Sequence, residues 1–384
     1  MKHGWEYKKF TDVCDVQYGF AFDSKFFTDD ENAMPLIRIR DVMRGYSETF
    51  YNGEIPNGYL INEGDYLVGM DGEFNIGRWG KRPGLLNQRV CKMSSSSKLL
   101  DNQYMYYFMK VCLKSIEDET PFVTVKHLSA KRINLIEIPL PPLLTQQSIA
   151  SELDKINELI RLKKEQLKDY DNLAQSIFYE MFGDPIENEK GWEVKKLGDV
   201  CEVSSFKRVL VEDVLEKGPV PFIRGTELSA ICKENKREYK MYITMEHYER
   251  VKNISGVPNV GDLLIPSINA EGLVWVVDTP EPMYYKDGRV LWVHVDQNSI
   301  SSIALQRILN NLIKDNYSKI TNGAVFAELN LSILRSFPII LPPLSIQNAF
   351  ANKINLIEKQ KAEIQSTIAD LETLLASRMQ YWFD

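Results

Sequence analysis

Apolar residues alternate at spacings of four and three along two stretches of the chain. The first stretch runs through Ile149, Leu153, Ile156, Ile160, Leu167, Tyr170, Ala174, Ile177 and Met181, interrupted at Lys163. The second runs through Phe350, Ile354, Ile357, Ile364, Ile368, Leu371, Leu375 and Trp382. The two are in phase at an offset of 201, with Lys163 opposite Ile364 and Ile160 opposite Lys361. A 4–3 alternation is the seam of a coiled coil, because a helix of 3.6 residues per turn returns those positions to one face. Neither Gly nor Pro falls between Gln146 and Phe182 or between Gln347 and Asp384. The pattern therefore predicts two unbroken helices that pair within the chain as an antiparallel coiled coil. At 1.5 Å per residue, a seam of ~33 residues is about 50 Å long.

The segments ahead of each helix read differently. Short β-branched and aromatic runs (Pro35–Ile39, Tyr66–Val68, Leu273–Val277, Val290–Val295) are set off by Gly, Asn and Asp, which is the pattern of strands and turns. Helical stretches are expected at Asn102–Lys114 and Ser301–Lys314. The fold class is α+β: two mixed α/β domains with two long helices.

These segments also repeat. Residues 4–16, GWEYKKFTDVCDV, match residues 191–203, GWEVKKLGDVCEV, at nine of thirteen positions. Pro35-Leu36-Ile37-Arg38 answers Pro221-Phe222-Ile223-Arg224, and Gly64-Asp65-Tyr66-Leu67 answers Gly261-Asp262-Leu263-Leu264. The strap Ile138-Pro139-Leu140-Pro141-Pro142-Leu143 answers Ile339-Ile340-Leu341-Pro342-Pro343-Leu344. The offset drifts from 187 to 201, so the second copy carries insertions, expected in loops. The expected boundaries are a first domain at 1–143, a helix at 144–183, a linker at 184–190, a second domain at 191–344 and a second helix at 345–384. Two related readers on a rigid rod suit a bipartite target. Half-sites one turn of B-DNA apart lie about 34–36 Å from each other.

Composition removes other classes. The chain has 384 residues, 44% hydrophobic and 26% charged, as expected of two or three globular domains. No stretch approaches a membrane span, and the N-terminus has no apolar leader. The five cysteines form no C-x-x-C pair, and four scattered histidines offer no metal spacing, so no metal and no cofactor are expected. These features predict a cytoplasmic protein with reduced thiols.

A set of ordered motifs, duplicated, carries a resemblance. They are GWExKKLGDV at Gly191–Val200 (echoed at Gly4–Val13), P-x-I-R, Gly-Asp-x-Leu, the I-P-L-P-P-L-x-x-Q strap at Ile138–Gln146, and Phe-Gly-Asp-Pro at Phe182–Pro185. Over essentially its whole length the chain resembles the DNA-specificity subunit of type I restriction–modification systems. The second strap departs from the pattern by having Ile340 in place of a proline, with little consequence expected. The resemblance implies a non-catalytic subunit whose two target-recognition domains each read half of a split sequence in double-stranded DNA. It implies two methyltransferase subunits as partners, joined by restriction subunits, with no membrane involved.

The chain's own chemistry agrees with that role. It has no N/D-P-P-Y/F segment to hold a target base and no G-x-x-x-x-G-K-S/T phosphate loop. The Glu-x-Lys triplets at Glu6–Lys8 and Glu193–Lys195 lack the acidic partners of a nuclease site and read as solvated turns or strands. A protein-interaction scaffold, with the coiled coil displaying two domains that bind no DNA, is the alternative from another class.

The net charge of -7 at first argues against DNA. Its distribution removes the objection, since ten acidic and six basic residues fall in 142–190, whereas each mixed domain is close to neutral. Residues 74–100 contain no Asp or Glu, and their cations are interleaved with aromatic and amide side chains. That segment supplies the candidates Arg78, Trp79, Lys81, Arg82, Asn87, Gln88 and Arg89, since Arg holds guanine and Asn or Gln holds adenine by paired hydrogen bonds. The recurring Arg38 and Arg224, with Arg40, are further candidates. In the second domain Lys207, Arg208, Asn269 and Glu271 are the positions expected to reach DNA.

Overall fold

The structure is a computed structural model that describes residues 4–80, 82–120, 126–320 and 328–383. The chain divides into two compact units, one formed by 1–165 with 365–384 and the other by 166–364.

The first unit begins with β1 (Glu6–Lys9), which pairs antiparallel with β11 (Glu137–Leu140) and so ties the start of the domain to the proline strap. Four strands, β2 (Cys14–Tyr18), β7 (Tyr66–Gly69), β8 (Ile76–Arg78) and β10 (Val90–Ser95), form an antiparallel sheet in the order β2-β10-β7-β8. Five more, β3 (Phe27–Thr28), β4 (Met34–Ile37), β5 (Phe50–Tyr51), β6 (Leu60–Ile61) and β9 (Gly84–Leu86), form a second sheet ordered β3-β5-β4-β9-β6, in which β4 and β9 are parallel. A helix at Asn102–Glu119 covers the first sheet. It starts at Asp101, whose carboxylate accepts from the N–H groups of Gln103 and Tyr104, both at 2.9 Å. Tyr104, Met105, Tyr107, Phe108, Met109 and Leu113 form its buried face.

The second unit repeats this plan. Strand β12 (Glu193–Lys196) pairs with β20 (Pro338–Leu341). Strands β13 (Glu202–Ser205), β16 (Leu263–Pro266), β17 (Trp275–Val276) and β19 (Val290–His294) form a sheet ordered β13-β19-β16-β17. A smaller sheet, β15 (Tyr242–Ile243), β14 (Val220–Ile223) and β18 (Tyr284–Tyr285), keeps the parallel pairing, here between β14 and β18. A helix at Ser302–Ile320 corresponds to Asn102–Glu119. Both exceed the lengths expected from sequence, and Ile116 and Tyr317 pack on the apolar cores beyond the expected ends. Ile340 pairs with Val194 where Pro139 pairs with Tyr7, so the proline is replaced at one register position of a two-stranded pair. A ribbon of this kind tolerates either residue, as proline on an edge strand sacrifices no ladder bond.

Two helices of 40 residues, Leu143–Phe182 and Leu344–Phe383, carry the apolar seams. In the first unit Ile149, Leu153, Ile156, Ile160 and Ile368 are buried, and Leu371 and Leu375 are half-buried. Arg378 Nη2 meets Glu152 Oε2 at 3.0 Å and Lys164 meets Glu372 at 2.7 Å, so the beginning of one helix lies against the end of the other, antiparallel. In the second unit Phe350, Ile354, Ile357 and Ile364 are buried, while Leu167, Tyr170 and Ile177 are half-buried. Lys361, at the seam position that holds Ile160 in the other copy, reaches out to Asp171 at 2.8 Å. The deepest residues of this part are Phe178 and Phe182, packed on Phe350 with ring centroids 5.9 and 4.8 Å apart. The strict 4–3 reading centres the seam on Ile177 and Met181. The buried face is wider because the helix packs on its domain's core as well as on the other helix. Among the described residues no helix is long and apolar enough to cross a membrane.

Candidate nucleic-acid interface

Several residues expected to touch DNA also hold the fold together. Trp79 is only 3% exposed and its indole N–H donates to the Arg82 carbonyl at 2.6 Å, which makes it a core residue. Asn87 is buried, and its Oδ1 accepts the Gln88 N–H at 2.9 Å. Asn269 is buried as well, and its amide clamps Leu273 from both sides, donating to its carbonyl at 2.8 Å and accepting its N–H at 2.6 Å. Asn is favoured in turns because its side chain can replace backbone partners, and that local use wins here over base reading. Arg82 donates to the carbonyls of Glu31 at 2.6 Å and Ala33 at 2.8 Å, bracing a loop of the five-stranded sheet.

The recurring arginines of the P-x-I-R segments share a backbone role. Each precedes a helix, and its N–H is accepted by a carboxylate three residues on: Asp41 for Arg38 at 2.8 Å, Glu227 for Arg224 at 3.2 Å. Their side chains then diverge. Glu227 is long enough to take the Arg224 guanidinium at two points, 3.1 and 2.5 Å. Burial raises the Glu227 pKa, but the hydrogen bonds from Arg224 and Thr226 outweigh it and hold the carboxyl down at about 2. The shorter, fully buried Asp41 makes no such fork, and Arg38 stays exposed.

Exposed polar candidates remain in both units. Arg40 donates to Thr49 Oγ1 at 3.0 Å, while Arg78 lies at the end of β8 over Gly64. Gln88, Lys207 and Arg208 are exposed, and Glu271 is ion-paired with Lys233 at 2.5 Å. Lys81 lies outside the described residues.

One arrangement occurs in both units. Arg89 stands immediately before β10 with φ of +71°, and its guanidinium lies 3.3 Å from Asp71 Oδ2, whose Oδ1 meets His127 Nδ1 at 2.5 Å. Its carbonyl accepts the Met70 N–H at 2.9 Å, and the Met70 carbonyl accepts the Leu128 N–H at 2.7 Å. In the second unit Arg289 stands immediately before β19, and its carbonyl accepts the Ser267 N–H at 3.0 Å. The Ser267 carbonyl accepts the Leu329 N–H at 2.8 Å, and the Arg289 guanidinium is ion-paired with Glu328. Sequence reasoning included Arg89 but missed Arg289, Asp71, His127 and Glu328. The available signal was the Arg-Val dipeptide at 89–90 and again at 289–290.

Among the described residues no group of three or more His, Cys, Asp or Glu side chains is placed to hold a metal ion. Glu6 and Glu193 each pair with the lysine two residues on, at 3.5 and 3.1 Å.

The family model described as the type I restriction modification DNA specificity domain matches residues 2–169 and again residues 189–372. The chain is 34% identical over 206 residues to the specificity subunit of type I restriction enzyme EcoBI from Escherichia coli, covering 52% of this chain and 43% of that one. It is 23% identical over 348 residues to the MjaVIII specificity subunit from Methanocaldococcus jannaschii, covering 82% and 79%. The match thus spans less than half the length of the first relative and about four-fifths of the second. Among solved structures, a type I restriction–modification S subunit from M. genitalium has the same fold, with a TM-score of 0.57 at 14% identity over 99% of this chain and 96% of that one. A chain from a structural study of complex assembly and conformational transition in the type I system gives a TM-score of 0.62 at 17% identity, over 100% and 98%.

Proposed function

The chain belongs to the family of type I restriction modification DNA specificity domains, and from that premise we propose that it is the non-catalytic, sequence-reading subunit of a type I restriction–modification complex. Residues 1–143 and 191–344 are the two target-recognition domains, each reading one half of a split target in double-stranded DNA. The helices at 144–183 and 345–384 set the spacer between the half-sites and, with the domain edges, dock two methyltransferase subunits. Residues 184–190 link the first helix to the second domain. Methyl transfer, and cleavage by restriction subunits that join the assembly, belong to the partners, and the complex works in the cytoplasm.

The observation that carries this reading is the duplication itself. Two domains whose four-stranded sheets share one strand order differ at matching positions, as with Gln88 in one and Gly288 in the other ahead of the shared Arg-Val. A pair of equal scaffolds with unequal surfaces is suited to a target with two unequal halves. Near-neutral domains can still bind DNA when partner subunits supply part of the phosphate neutralisation. The test is co-expression with a type I methyltransferase subunit from the same genome, followed by mapping of methylated adenines. A split motif with a constant spacer is the expected result, and methylation at unsplit or unrelated sites overturns the reading.

A further inference from the structure

We infer that Arg89 and Arg289 are matched phosphate clamps, one per domain, which set the register of the duplex without reading its bases. The inference rests on the DNA-reading function proposed above and adds a division of labour within each domain.

Three observations carry it. The backbone under each arginine is stitched the same way, with its carbonyl bound by Met70 or Ser267 and that residue's carbonyl bound by Leu128 or Leu329. Each arginine is therefore presented from a fixed point at the start of β10 or β19. Each guanidinium is also steadied by a carboxylate, yet the carboxylates come from different places: Asp71 follows β7 in the first domain, and Glu328 precedes Leu329 in the second. The arginine is the constant and its anchor the variable. Finally, the side chains remain open, 56% exposed for Arg89 and 47% for Arg289. A guanidinium has five N–H donors, and a carboxylate occupies at most two, so an edge is left for a second anion.

Stability does not account for the recurrence, since exposed ion pairs contribute little. Arg89 moreover occupies a left-handed backbone conformation, φ +71°, that a residue with a side chain adopts unfavourably. In the second domain the positive φ falls on Gly288, at +64°. A contact common to two domains that read unlike half-sites must address what all duplexes share, which is the phosphate backbone. The neighbour that differs, Gln88 where the second domain has Gly288, is then free to specify in the first domain. Pre-anchoring also reduces the side-chain entropy lost on contact.

The experiment uses the full chain and a short duplex of arbitrary sequence, with dissociation constants measured across a range of KCl concentrations. Arg89→Ala and Arg289→Ala are each expected to weaken binding several-fold and to lower the slope of log Kd against log salt by about 0.9, the value for one phosphate contact. Arg161→Ala removes the same charge from a helix guanidinium paired with Glu158 and Glu165, outside the strands of both sheets, and is expected to leave the slope unchanged. If an alanine variant melts early, Arg89→Gln and Arg289→Gln replace it, and Arg89→Lys should recover the slope. In cells that also carry the methyltransferase, both variants should methylate the wild-type motif at lower occupancy. An unchanged salt slope alongside normal wild-type binding overturns the clamp and leaves the DNA-reading function standing, as does a changed motif, which would make these residues base readers. A wild-type chain that binds no duplex, alone or with its methyltransferase, overturns the function and the clamp together.

Discussion

Gln146 holds the start of a helix 45 residues behind it, its Oε1 accepting the Asp101 N–H at 2.9 Å. Its Nε2 donates to the carbonyls of Leu99 and Pro141, both at 2.8 Å. Gln347 repeats the arrangement, accepting the Ser301 N–H at 2.9 Å and donating to the Pro342 carbonyl at 2.7 Å. Both side chains are essentially unexposed, at 0% and 1%. Each joins the proline strap, the first turn of a long helix and the start of the domain's own helix. Gln146→Ala strands one buried N–H and two carbonyls, at about 1–3 kcal/mol for a buried polar group left unsatisfied. Denaturant unfolding should show a lower midpoint of that order, and Gln146→Glu should do no better, because a carboxylate cannot donate to the two carbonyls. A midpoint unchanged by either variant would show that the strap does not depend on this amide.

The acid limb of stability should depend on Glu227. Its carboxyl titrates at about 2 in the folded chain, against ~4.3 for an unperturbed glutamate. The native state therefore binds this proton less readily than the unfolded state. The stabilisation is complete above about pH 4.3 and is lost as the pH falls toward 2. Glu227→Gln should remove that contribution, costing up to about 2 kcal/mol at neutral pH and progressively less as the pH falls toward 2, so that unfolding free energy varies less across that window. Glu152 adds a smaller term of the same sign, as the hydrogen bond from Arg378 lowers its pKa. Both partners there are about one-third exposed, at 35% and 32%, so solvent screening keeps the pair weak. A double-mutant cycle on Glu152 and Arg378 measures that coupling directly.

Phe350 is the keystone of the aromatic cluster in the second unit. It is 0% exposed and meets both Phe178 and Phe182. Phe350→Ala should cost about 3–5 kcal/mol, as large-to-small changes of buried aromatics do, whereas Phe350→Leu should recover much of it. Thermal unfolding followed by circular dichroism checks both. Equal loss in the two variants would mean that ring geometry, not volume, holds the helices here.

The long helices and the duplication were legible in sequence because each has a signature independent of tertiary context: a heptad alternation in one case, internal identity in the other. The width of the helix face was not, since Phe178 and Phe182 leave the 4–3 rows only once a sheet and a second helix both press on that end. The candidate site was legible in part. Trp79, Asn87 and Asn269 have the chemistry of base readers, and the same chemistry serves a core indole or a turn amide, with burial alone deciding between them. Arg289 escaped notice because its echo of Arg89 is two residues long, in a stretch where the offset between copies is still drifting. Only the shared strand order of β2-β10-β7-β8 and β13-β19-β16-β17 aligns them.

Changing helix length gives the most direct test of the division between reading and spacing. Inserting four residues, about one turn, at matched points of Leu143–Phe182 and Leu344–Phe383 adds ~6 Å to each helix. That equals roughly two base pairs at 3.4 Å each. The insertions should copy the local seam pattern, with Gly and Pro excluded, so that the apolar face continues through them. If the helices set the spacer, methylation mapping should return both half-sites unaltered around a longer spacer, with occupancy reduced because the added base pairs also rotate one half-site about the DNA axis. Insertion in one helix alone shifts the seam residues of that helix past their partners, including Glu152 against Arg378, and should destabilise the chain before it changes the spacer. An unchanged spacer in a stable double-insertion variant would assign spacing to the partner subunits, and a changed half-site would mean that the helices also orient the reading surfaces.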